Sequence, residues 1–79
     1  MQQMGRVVDL LEKNIIVIRK FVKIGRIPLS LMTDYDIYLM YKSIDYEPAQ
    51  MKRYAIVATN FKISIDTVRK AVKEMEKPL

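Results

Sequence analysis

The sequence has no cysteine, no histidine and no tryptophan, and only two glycines, Gly5 and Gly25. Without cysteine there is neither a disulfide framework nor a thiolate metal site. Without histidine as well, zinc fingers, Ser-His-Asp triads and Cys-His pairs are excluded. The two glycines have no spacing that builds a phosphate-cradling loop. Asp34 and Asp36 form a close carboxylate pair. Two positions apart on a helix, they point in different directions, and near a helix start their simplest role is to favour the positive end of its dipole. Catalysis needs a nucleophile, a base or a metal in a cleft. The expectation is therefore a protein that is not an enzyme, with no metal and no cofactor.

Long hydrophobic runs are missing too. The oiliest stretch, "IIVIRKFVKI", is interrupted by charge and falls short of the ~20 residues that span a bilayer. The opening "MQQMGRVVDLLEKN" is charged too early for the apolar region of a signal peptide. A cytoplasmic location is the simplest expectation.

What is present is enough for one small core. Of 79 residues, 51% are hydrophobic, and a chain of this size buries roughly 60–65% of its unfolded surface. Any apolar surplus can serve a second subunit. The formal charge is +5 with a pI near 9.6, and it is unevenly spread. Lys13, Arg19, Lys20, Lys23 and Arg26 follow one another with no acid between them. Between Thr33 and Glu47, Asp34, Asp36, Asp45 and Glu47 oppose only Lys42. From Lys52 to Lys73 six bases oppose Asp66 alone. Two basic regions flanking an acidic one suit a polyanionic partner.

Periodicity favours helices throughout. Val7, Leu11, Ile15, Ile18 and Val22 recur at steps of four, four, three and four, a helical stripe. This predicts a helix from Arg6 to Lys23 with a break near Asn14, closed by Gly25 in the left-handed cap position. The β-branched run "IIVI" leaves a short strand over residues 14–24 as the alternative. Thr33 or Asp34 would cap a second helix ending near Ile44. Ile37, Met40, Tyr41 and Ile44 form one face of it, Tyr35 and Leu39 a second, and Tyr38 a third. A helix apolar nearly all round must be covered on several sides. Pro48 fits the first position of a third helix, with Met51, Tyr54, Ala55, Ala58 and Phe61 facing inward. Ser64 caps a fourth that buries Ile65, Val68, Ala71, Val72 and Met75, and Pro78 stops it.

The segment "ATNFKISIDTVRKAV", residues 58–72, resembles a helix-turn-helix. Ala58, Phe61, Ile63, Ser64, Thr67 and Val68 match that arrangement in order and spacing. Two helices crossing through a short turn need a small residue at the crossing and an apolar plug at the corner. One departure is Lys62, where the family often has glycine. A lysine in the left-handed conformation costs roughly 1–2 kcal/mol, unless Asn60 takes the unusual dihedral. With the preceding helix, the unit is similar to trihelical homeodomain-like or sigma-region-4-like domains. The whole layout resembles small regulators of phages and mobile elements, such as Mor-type activators.

Periodicity and the resemblance together give an all-α fold: residues 33–79 as the three-helix helix-turn-helix domain that the resemblance implies, and residues 1–32, which it does not explain, as an N-terminal amphipathic helix and connector. The resemblance implies a sequence-specific protein for double-stranded DNA, a transcriptional regulator or mobile-element accessory protein, reading the major groove with helix 64–76. Ser64, Asp66, Thr67, Arg69, Lys70 and Lys73 would face the bases, Arg69 and Lys70 pairing with guanine O6 and N7. Lys52, Arg53, Lys62 and Lys77 would touch phosphates, which position without reading sequence. The alternative from another class is a helical protein-interaction adaptor of the same shape. Tyr35, Tyr38, Tyr41 and Tyr46 could stack single-stranded bases, but their acidic surroundings favour a core or a subunit interface. A homodimer through the N-terminal helix or the Tyr-rich helix 33–44 is a further expected partner. The basic N-terminal helix could also lie on an anionic membrane. Its lack of tryptophan makes a phosphate-contacting or dimerising arm the preferred role, with no membrane partner expected.

Overall fold

A computed structural model describes residues 5–79, in which five helices follow one another: α1 (Val7–Lys13), α2 (Ile15–Lys23), α3 (Leu29–Ser43), α4 (Gln50–Phe61) and α5 (Ile65–Glu76). Among the described residues there is no strand element, only an isolated antiparallel bridge between Arg6 and Pro78. The all-α class is thus as expected.

The expected break falls at Asn14 and divides the first segment into two helices. Its backbone leaves the helical region at φ −119°, ψ 22°. The side-chain Nδ2 donates to the Leu10 carbonyl at 2.9 Å, the local competition for backbone partners that weakens asparagine within helices. Residues 15–23 are helix, so the strand alternative is overturned. Gly25 ends this part at φ +81°, as the cap argument anticipated.

The second helix begins a full turn before Thr33 and Asp34. Pro28, at φ −59° and ψ 140°, occupies the cap position. Its ring presets the dihedral, and its carbonyl accepts from Leu31 N at 3.2 Å. Thr33 is no cap; its Oγ1 donates back to the Leu29 carbonyl at 3.4 Å. The added turn brings Met32 into the core, and residues 32 and 33 lie within one helix. Pro48 also sits outside its helix, since Ala49 is the cap and Gln50 the first helical residue of α4.

α3 is the central helix, packing against α2, α4 and α5. Met32, Tyr35, Ile37, Tyr38 and Tyr41 are buried along it, with Ile44 just beyond. From α4 come Tyr54, Val57 and Ala58, and from α5 Val68, Ala71, Val72 and Met75. Val8 and Leu11 complete the same core from α1. Two assignments shift. Met51 is 60% exposed and Ile65 39% exposed, while Val57 is fully buried.

Candidate nucleic-acid interface

The corner between α4 and α5 is built as a Schellman cap. Lys62 adopts φ 57°, ψ 45°, the left-handed conformation. Lys62 N donates to the Thr59 carbonyl at 3.3 Å and Ile63 N to the Ala58 carbonyl at 3.0 Å, the two bonds that define the motif. Asn60 stays helical, its Nδ2 donating to the Ile56 carbonyl at 2.9 Å. Of the two sites weighed for the unusual dihedral, Lys62 takes it. Ile63 is half-buried against the core and plugs the corner.

Ser64 then caps α5. Its Oγ accepts from Thr67 N at 3.1 Å and lies 2.8 Å from Thr67 Oγ1. Val68, Ala71, Val72 and Met75 turn inward, so Asp66, Thr67, Arg69, Lys70 and Lys73 are left on the solvent side. The structure therefore brings together all six residues expected to read bases. They are not independent, however. Asp66 pairs with the Arg69 guanidinium and, at 3.3 Å, with Lys70 Nζ. These exposed pairs add little stability, yet they hold two cations around one carboxylate. The hydrogen bond from Lys70, with the nearby Arg69 charge, keeps the Asp66 carboxyl below the usual carboxylate range.

The expected phosphate contacts are more scattered. Lys62 is exposed at the corner and Lys52 on α4. Lys77 follows α5, its Nζ 3.4 Å from Glu74. Arg53 is occupied within the fold. Its Nε donates to the Glu47 carbonyl at 2.6 Å, its Nη2 to the Asp45 carbonyl at 3.4 Å, and its guanidinium stacks over the Tyr41 ring at 5.6 Å. Arg53 thus braces the loop before α4.

The tyrosines behave as core residues with polar tips. Tyr41 stacks on Tyr54 with ring centroids 5.4 Å apart. Tyr35 Oη donates to Glu12 at 3.1 Å and Tyr38 Oη to Glu76 at 3.2 Å, while Arg6 Nη1 donates to Tyr38 Oη at 3.5 Å. Burial first, then these carboxylates, pushes both phenols up from their ordinary value. Tyr35, Tyr38 and Tyr41 thus offer no open platform for bases, whereas Tyr46 is 76% exposed.

Asp34 is half-buried, and burial together with Glu74 raises its carboxyl above the usual range. Among the described residues no cluster of three potential ligands could hold a metal. No family model matches the chain, and neither does any curated protein or solved structure.

Proposed function

We propose that the chain is a sequence-specific, non-enzymatic binder of duplex DNA, a small regulator or mobile-element accessory protein that lays α5 in the major groove. The observation that carries this reading is the pairing of a tight corner with a polar, cationic outer face. Lys62 and Ser64 set the direction of α5, and Asp66, Thr67, Arg69, Lys70 and Lys73 line its solvent side. Residues early in such a helix lie nearest the base edges. Arg69 and Lys70 are the donors for guanine, while Asp66 suits the amine of cytosine. Lys52, Lys62 and Lys77 serve phosphates.

The test is fluorescence anisotropy against a random duplex pool, with sequencing of the bound fraction at low and physiological salt. The expected result is an enriched motif that Arg69→Ala/Lys70→Ala loses while still folding. Weak binding without enrichment, gone by ~150 mM salt, would leave only a basic surface.

A second reading, a protein-interaction adaptor, is favoured by one observation. Ile16, Val17 and Phe21 on α2, and Ile24 at its C-terminal cap, all stand exposed. It requires negligible duplex affinity and a partner that covers apolar surface.

A further inference from the structure

α2 is the least embedded helix. None of its nine residues is fully buried, and only Ile15, Ile18 and Val22 rest against the core. Ile16 is 69% exposed, Val17 52%, Phe21 44% and Ile24 67%, while Leu29 at the following corner is 70% exposed. At the helical period, Val17, Phe21 and Ile24 run along one flank at steps of four and three. Arg19, Lys20 and Lys23 occupy the neighbouring flank, with Ile16 among them. In sequence Lys13 and Arg26 bracket these cations with no acid between them, while Arg19 shares the surroundings of the Tyr35 hydroxyl with Glu12 and Asp36.

We propose that this face, the outer side of α2 with the α2–α3 corner, docks on an anionic membrane surface. Val17, Phe21, Ile24 and Leu29 enter the headgroup region, and Arg19, Lys20 and Lys23 reach lipid phosphates.

Charge selects this occupant over a second copy. Two such faces brought together would set Arg19, Lys20 and Lys23 of one copy against the same three of the other, and like charges oppose association. Shape fits it too. The exposed apolar flank of Val17, Phe21 and Ile24 spans about 60°, and the cations beside it widen the uncovered face to about 200° at the helical period. That is the form of a rod half-sunk in an interface. Long lysine stems extend from such a depth to the headgroups, and Phe21 supplies an apolar ring where tryptophan is missing. Among the described residues no helix is long and apolar enough to cross a membrane. The proposal does not depend on DNA binding.

Vesicle co-sedimentation tests it, with phosphatidylcholine vesicles and equimolar phosphatidylcholine/phosphatidylglycerol vesicles. The wild-type protein should pellet with the anionic vesicles and stay in solution with the neutral ones. Each cation removed in Lys20→Glu/Lys23→Glu should weaken the partition about fivefold or more. Ile24→Ser/Leu29→Ser should weaken it about tenfold while the charge is unchanged. Arg69→Ala/Lys70→Ala should pellet like wild type, so a failed DNA experiment leaves this result intact. Circular dichroism melts confirm that each variant folds. Three results would overturn the proposal. One is absence of wild-type binding to anionic vesicles, and another is binding indifferent to lipid charge and to both double variants. The third is light scattering that shows a dimer, made monomeric by Ile24→Ser/Leu29→Ser, with no vesicle binding.

Discussion

Replacing Lys62 by glycine separates a backbone effect from a contact effect at the corner between α4 and α5. Lys62 sits at φ 57°, ψ 45° with both Schellman bonds formed, so glycine keeps the geometry and loses only the strain. A non-glycine residue in that region costs about 1–2 kcal/mol. Glycine returns about 0.5–1 kcal/mol of this through the greater freedom of its unfolded chain. The net expectation for Lys62→Gly is a gain of about 0.5–1 kcal/mol, a Tm rise of about 2–8 °C in a domain this small. Lys62→Ala retains the Cβ and should show no gain. Urea titration and thermal melts of the three proteins decide the matter. If glycine and alanine behave alike, the left-handed strain is not what limits this corner. The same variant addresses the interface, because losing one phosphate contact should reduce the salt slope of DNA binding by about 0.9. Stability rising while the slope falls is the joint signature.

Ser64→Ala removes the cap of α5 and should cost about 1 kcal/mol, read as an earlier urea midpoint. Gly25→Ala has open space for its Cβ but a φ of +81°, so strain of about 1–2 kcal/mol, offset by about 0.5–1 kcal/mol from the stiffer unfolded chain, should leave a net loss of about 0.5–1 kcal/mol. A carboxyl raised by burial and Glu74, as Asp34 is, binds its proton more tightly in the fold than in the unfolded chain. As a carboxylate it weakens the fold at neutral pH, and this weakening fades as pH falls through the folded pKa. Asp34→Asn should therefore raise Tm near neutral pH, with the gain shrinking in acid. Asp66→Asn releases Arg69 and Lys70 and removes a charge that repels phosphate. It should raise affinity for random duplex a few-fold and narrow the ratio of selected to random binding in competition titrations.

Much of the fold was legible where local chemistry and tertiary packing agree. Ser64 followed by Val68, Ala71, Val72 and Met75 contains both the cap and the buried stripe of α5. The all-round apolarity of Tyr35, Ile37, Tyr38 and Tyr41 correctly marks the central helix. Legibility fails where two local signals compete. Thr33 and Asp34 are good caps, but Pro28 one turn earlier also starts a helix, and burial of Met32 decides between them. Met51 and Val57 fit a helical face equally well on paper, and only packing against α3 and α5 separates them. Arg53 looked like any outward cation, because its carbonyl partners at Asp45 and Glu47 depend on how the loop folds back. The basic character of α2 was legible, but the exposure of Ile16, Val17, Phe21 and Ile24 was not. A stripe aimed at a core and one left bare share the same period.

The bridge between Arg6 and Pro78 bears on the order of events in folding. Val7 N donates to the Lys77 carbonyl and Leu79 N to the Gly5 carbonyl, each at 2.9 Å, joining positions roughly seventy residues apart. Closing so long a loop is entropically costly, though the cost grows only slowly with length. The local α4–α5 corner can form first, with this closure following once α1 finds its place against α5. Opened again, the same clasp would be the first protection lost in hydrogen exchange. It would free Val8 and Leu11 to leave the core while the cap at Ser64 still holds.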